Sequence, residues 1–353
     1  MTDIEGEPVA RRRWRRRRPS IRKRMIRLVV TVLVLAGGWT AVWFTTAYYA
    51  KQMATNGYRS PGLTVGCKDP EVVGYPISIE LTCQKTDAQR ALGQSLSFAG
   101  IRASTSLSDP GGLTAEIASP AVLNPAPGLS VRADWSKARA TAKLTPENLK
   151  RLEVEIDDFI LKPAAALAGL TDLSLKRGTI ELRQHPDVPA DAEAFVAIDG
   201  LSGIRPGVGD LDMRLALRLP DGAALFSRHA RRFMLSRRGK ETKLHIDRAY
   251  LSDTVVAVTA KGDLTVDSRG FLNGKVSVEL VNPDKLQSRV PDLTENQQKV
   301  LTALQGAITA FGRTGETEKG EPTKTITLTF DTGSVRAGLI PLGHIPSIYR
   351  ARR

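Results

Sequence analysis

Residues 211–219 read Leu-Asp-Met-Arg-Leu-Ala-Leu-Arg-Leu. Leu211, Met213, Leu215, Leu217 and Leu219 fall on alternate positions, opposite Asp212, Arg214 and Arg218. Successive side chains of a strand point to opposite faces, so this period of two describes a strand with one apolar and one polar face. The pattern recurs outward in both directions. Upstream it covers Gln94–Ile101, Leu113–Ile117, Ser130–Trp135, Ala138–Leu144, Leu152–Leu161 and Leu173–Leu182. Downstream it covers Lys243–Ala249, Thr254–Ala260, Asp263–Val266, Gly274–Val281 and Thr323–Phe330. Turn residues separate these segments, which predicts an antiparallel, meander-like sheet. No period is strict enough for a solenoid.

Helices are few. Ala164–Leu170 and Gly222–Met234 are short, and the best runs from Leu293 to Phe311. There Thr294 and Gln297 make a capping box, and Val300, Leu301, Leu304, Ile308 and Phe311 form a stripe suited to packing on the sheet. Gly312 ends this helix, and Gly315–Glu321 reads as a flexible loop.

Ahead of the sheet lies a different kind of segment. Leu28 to Ala50, LVVTVLVLAGGWTAVWFTTAYYA, is twenty-three residues without an ionisable charge before Lys51. As a helix it spans about 35 Å, enough for a hydrocarbon core of about 30 Å. A buried core helix is the competing reading, but uncharged runs of this length signal membrane spans. Trp43, Tyr48 and Tyr49 sit toward its far end, as interfacial aromatics do. The net charge of +14 is uneven: residues 1–27 hold eleven Lys/Arg against three acids, including Arg11–Arg13 and Arg15–Arg18. The positive-inside asymmetry therefore keeps the N-terminus cytoplasmic and sends the bulk of the chain outward. A cleavable signal peptide wants small residues where Ala47-Tyr48-Tyr49-Ala50 has rings. The arginines also admit a twin-arginine export signal or an RNA-binding arm, but contact with anionic headgroups explains them more simply.

Two cysteines follow. Leu63, Val65 and Cys67 alternate, as do Ile77, Ile79, Leu81 and Cys83, so each sulfur falls on the apolar face of its own strand. If those strands pair, the thiols can meet, and an oxidising compartment favours a Cys67–Cys83 disulfide over two buried thiols. Two thiolates without a second pair of ligands make a poor metal site.

Two strings carry a family resemblance: Val73-Gly74-Tyr75-Pro76-Ile77-Ser78-Ile79-Glu80-Leu81-Thr82-Cys83, and Phe330-Asp331-Thr332-Gly333-Ser334-Val335-Arg336-Ala337-Gly338-Leu339-Ile340-Pro341-Leu342-Gly343. With the anchor and Cys67 they resemble domain-of-unknown-function family 2125, membrane-anchored proteins of the bacterial envelope. The resemblance implies an inner-membrane location and a periplasmic domain, and supplies no catalytic residues. This chain departs from the closing motif where Thr332 separates Asp331 from Gly333. More loosely, the Gly-Tyr-Pro turn resembles that of larger AsmA-type envelope proteins, which implies a long curled sheet and lipid handling. Gly74 with Pro76, and Pro341 with Gly343, read as tight turns feeding strands.

The search for chemistry finds no constellation. Gly270–Val276 resembles a phosphate loop, but it is one residue short and leads into a strand, so it reads as a hairpin turn. Ser20-Ile21-Arg22-Lys23 matches S-x-x-K without the companion motifs. His185, His229, His245 and His344 have no ligand spacing, and adjacent Asp157 and Asp158 on a strand point to opposite faces. One charge cluster remains, Arg228, Arg231, Arg232, Arg237, Arg238 and Lys240 around His229. On a helix, Arg228 and Arg231 or Arg232 share a face, with Leu225 and Phe233 available to the core, and the cluster reads as a solvated basic surface or a contact for an anionic headgroup or glycan near the membrane.

The sequence thus predicts a mainly β (α+β) chain, in which one N-terminal transmembrane helix precedes a large curled antiparallel sheet with a few packed helices. Its parts are a cytoplasmic basic arm (1–27), the span (28–50), a linker (51–62), a periplasmic β-rich domain (63–345) and a basic C-terminal tail (346–353). The expected partners are the inner membrane, anionic lipid headgroups along the basic arm, and a lipid or envelope protein along the sheet. No nucleic acid and no cofactor are expected. A non-catalytic envelope protein is the leading reading, and a periplasmic hydrolase with dispersed residues is the alternative.

Overall fold

A computed structural model describes residues 21–60, 63–90, 93–106, 108–126, 129–162, 172–204, 209–227, 230–237, 239–289 and 295–349. The chain separates into two compact units, Met1–Tyr49 and Ala50–Arg353. The basic arm up to Ser20, the predicted helix Ala164–Leu170, the capping residue Thr294 and residues 350–353 of the tail lie outside the described residues.

Helix α1 runs from Ile21 to Asn56. It overruns the predicted span at both ends, and Lys51–Asn56 is helix where a linker was expected. Lys-Gln-Met-Ala-Thr contains no helix breaker, and the next glycine after Lys51, Gly57, ends the helix at φ 63°. Thr31, Thr40, Thr45, Thr46 and Thr55 each donate a hydroxyl proton to the carbonyl one turn earlier, at 2.7–2.9 Å. That satisfies polar groups that hydrocarbon cannot. Among the described residues α1 is long and apolar enough to cross a membrane, and it fits a single-pass anchor or a signal sequence.

The second unit is built on one sheet of twenty described strands, antiparallel at every pairing. The first five strands are β1 (Tyr58–Ser60), β2 (Leu63–Lys68), β3 (Glu71–Val73), β4 (Ser78–Cys83) and β5 (Lys85–Arg90). Then come β6 (Ser95–Ser106), β7 (Asp109–Ala126), β8 (Leu129–Asp134), β9 (Lys137–Leu144) and β10 (Leu149–Lys162). The middle holds β11 (Leu173–Gln184), β12 (Ala192–Leu201), β13 (Leu211–Leu219), β14 (Thr242–Ser252), β15 (Ala257–Val266) and β16 (Leu272–Val281). It closes with β17 (Arg313–Glu316), β18 (Pro322–Asp331), β19 (Ser334–Ala337) and β20 (Ile340–His344). From β9 to β16 each strand pairs with the next in sequence, the meander that the alternation predicts.

Several expectations change. β12 was not predicted, because its Phe195-Val196-Ala197-Ile198 run is continuously apolar and shows no alternation. The two segments Thr254–Ala260 and Asp263–Val266 are one strand, β15. The loop expected at Gly315–Glu321 is a β17–β18 hairpin, whose turn is closed by Thr317 through its hydroxyl and by the Gly320 amide. Pro341 and Gly343 lie inside β20, not in a turn before it. Thr332 and Gly333 carry φ of 51° and 81° between paired Asp331 and Ser334, the backbone of a type I′ hairpin. The Thr332 amide is held there by Asn273 Oδ1 at 2.8 Å. The tail is docked through residue 349, with Ser347 buried and bonded to the Arg269 carbonyl.

After the one-turn helix α3 (Leu286–Arg289), helix α4 (Glu295–Phe311) packs on the last strands, and the core lies there. Ala307 and Ile308 meet Leu280, Ile326 and Ala337, with Leu304 and Leu328 around them. The predicted stripe is only half right: Val300 and Phe311 are exposed. The helix expected over Gly222–Met234 is broken. A 3-10 turn, Gly222–Phe226, is followed by extended Ser227 and then α2 (Ala230–Arg237), so Leu225 and Phe233 lie on separate elements.

Candidate functional site

The strand registers bring residues from distant parts of the chain into line. Directly paired residues share a face. Following the pairs from β3 to β18 gives Val72, Leu81, Ala103, Ala115, Ala140, Val154, Ile180, Val196, Leu215, Ala249, Ala260, Val278 and Ile326. Every member is aliphatic. On the same face, two residues along each strand, runs a second row. Ile156 pairs with Ala138 and Gly178, and the row continues through Ile198, Met213, Leu251, Val258 and Leu280. Toward β4 it is continued by Ile117, Ile101 and Cys83. A third row on the other side holds Leu113, Ala142, Leu152, Leu182, Ala194, Leu217 and Ile246.

The opposite face is charged. Arg102, Glu116, Arg139 and Glu155 are consecutive partners with alternating sign. Ion pairs lace it: Arg102–Glu80 at 3.0 Å, Lys137–Glu155 at 2.8 Å, Arg151–Glu181 at 3.0 Å and Arg177–Asp157 at 2.9 Å. The basic partner of each is well exposed to solvent, so the pairs add little stability. Their effect is to fix one face as the wet one.

A line of irregularities crosses the strands and bends them. It passes Asp69, the Ala99–Gly100 register shift, Asp158 (φ 51°) and Gly200 (φ 62°). Such a step changes which parity of residue faces the apolar side. A Cβ on Gly178 would lie 3.1 Å from the Ile156 side chain and 3.5 Å from that of Leu175, so Leu175 shares the face of Ile156 despite its odd number. A groove of about 440 Å³ opens along this line, lined by Cys83, Ile101, Ile117 and Ala138 together with charged Arg102, Glu116, Lys137 and Arg139, a volume in the range of ligand pockets.

The cysteines form a disulfide. Their own strands, β2 and β4, are not paired with each other: β2 pairs with β5 and β3 with β4, in one register running from Lys68↔Lys85 to Glu71↔Thr82, and Cys67 stands opposite Thr86. The bridge is therefore diagonal, and it crosses the step at Asp69 and Gln84, where the Gln84 amide donates to the Lys68 carbonyl.

Most of the charge cluster falls outside the described residues. Arg228, His229 and Arg238 lie outside the described residues, as do the side chains of Arg231 and Arg237; Arg232 and Lys240 are exposed. His185 is held structurally, its Nδ1 accepting from the Asp187 and Val188 amides at 3.1 Å. His245 pairs with Asp263, and His344 lies against Phe271. Asp158 is in the bulge and accepts from the Ser136 hydroxyl at 2.7 Å, while Asp157 binds Arg177. Among the described residues no group of three metal-ligating side chains occurs. The turn before β16 is made by Asp267–Gly270, and the Phe271 and Arg269 amides hold the Asp267 carboxyl below its ordinary pKa. Asp253 is also lowered: burial opposes its charge, but the Val256 amide, the Arg289 guanidinium and the Val255 amide outweigh it.

A single antiparallel sheet with one aliphatic and one charged face, preceded by an apolar helix, defines a β-sheet protein with one candidate membrane span. A bacterial family described as "Uncharacterized protein conserved in bacteria (DUF2125)" matches residues 43–346, and the chain belongs to that family. No curated protein and no solved structure matches the chain.

Proposed function

We propose that the protein is a single-pass inner-membrane protein of the bacterial envelope that holds lipid hydrocarbon on its apolar sheet face without catalysing a reaction. The arginine-rich arm favours a cytoplasmic N-terminus, and the disulfide favours an oxidising, periplasmic compartment for the sheet. One observation carries the lipid reading: three adjacent aliphatic rows cross the sheet, and toward β10 and β11 they are uncovered, with Val154 37% and Ile180 46% exposed. A contiguous apolar face of that kind marks an interaction site. On a chain anchored in a bilayer, hydrocarbon is the ligand at hand.

The test is lipid retention. Full-length protein, washed extensively in detergent, is expected to keep phospholipid that an Ile180→Arg variant of equal melting temperature releases. Equal lipid content in the two proteins would remove the proposal.

A further inference from the structure

We infer that the apolar face holds more than one acyl-chain length at once, laid across the strands, in a track that ends where α4 begins. The inference rests on the lipid reading above. From Leu81 to Leu215 the central row crosses eight strands. At about 4.8 Å per strand that is about 34 Å. One leaflet is about 15 Å deep, half of a hydrocarbon core of about 30 Å. The track therefore has room for two chain lengths end to end, with two flanking rows to widen it.

The lining favours hydrocarbon over a second protein. Protein interfaces use hydrogen bonds at about one per 100–200 Å² and rely on Trp, Tyr and Arg as anchors. Between β4 and β13 the three rows offer Ala, Val, Leu, Ile, Gly178, Met213 and the disulfide-bonded Cys83, and none of those anchors. Such a surface matches a ligand that has no hydrogen-bonding groups along its length. At the far end Ile308 and Ala307 of α4 already occupy the space over Leu280 and Ile326.

Photo-cross-linking in membranes tests this. Full-length protein is reconstituted into phosphatidylethanolamine–phosphatidylglycerol vesicles containing a phospholipid with a diazirine at the end of one acyl chain, and adducts are mapped and counted. At saturation at least two adducts per sheet are expected, on peptides around both Ala103–Ala115 and Ile180–Val196, with none on Leu272–Val281. Val196→Asp should remove the second set and spare the first; if it lowers the melting temperature, Val196→Thr takes its place. One adduct per sheet, confined to one of the two regions, would overturn the inference and leave lipid binding standing. Labelling of α1 alone would defeat the lipid reading as well.

Discussion

Ile326 and Ile180 stand in the same register row, six strands apart. Ile326 is 3% exposed, because α4 lies over it; Ile180 is 46% exposed. Both positions present the same aliphatic surface, and of the two, among the described residues, it is Ile326 that lies under a second layer. A sheet with one apolar face needs such a layer to bury it. The difference separates a structural use of the row from one that leaves it available to something outside the chain.

The sharpest way to probe that contrast is to truncate a covered side chain. Leu280→Ala, at a position 2% exposed, is expected to cost about 4 kcal/mol in equilibrium urea unfolding. Ile180→Ala should cost only about 1 kcal/mol, because much of its surface stays in contact with solvent. Equal losses would mean that the row at Ile180 is as well covered in solution as the row at Leu280. Replacing Cys67 and Cys83 together by Ser should cost about 3 kcal/mol, and the loss should match that produced by a reductant.

Asp253 ties the β14–β15 turn to Arg289 at 2.7 Å, at the covered end of the sheet. Asp253→Asn is expected to lose about 2 kcal/mol at neutral pH, the value of hydrogen bonds to a charged group. Its folded pKa lies below the unfolded value of about 3.9. This contribution is therefore complete above about pH 4 and is lost as pH falls through the folded pKa. The variant should accordingly show a shallower acid limb in stability against pH. The smallest effect belongs to the charged face: Lys137→Gln should change stability by less than about 0.5 kcal/mol despite its 2.8 Å contact with Glu155.

Much of the fold was legible from alternation, because alternation reports directly on a strand with one buried face. Leu211–Leu219 appears in the structure with the predicted bounds. Alternation fails in two places. In β12 both parities are apolar, so period two vanishes. In β11, Leu173 and Leu175 are odd while Ile180 and Leu182 are even, and a step in the strand reconciles them. The candidate site was illegible for a related reason. No segment announces the aliphatic face, since each strand contributes one or two ordinary residues to every row. The central row exists only once twelve registers are known. The basic residues from 228 to 240 are conspicuous through sequence proximity alone, while the helix expected over Gly222–Met234 is interrupted at extended Ser227, ahead of all of them.

The neighbour-to-neighbour pairing from β9 to β16 has an evolutionary consequence. A two-strand hairpin is the natural unit in which this sheet can change size. Duplicating one restores strand direction and the inward parity of its apolar residues, and widens the sheet by about 9.6 Å. Deleting one does the opposite without disturbing α4 or the disulfide, which sit toward opposite ends of the strand succession. Breadth can therefore change while the two terminal constructions stay fixed, and the number of hairpins between them sets how broad an aliphatic face such a sheet presents.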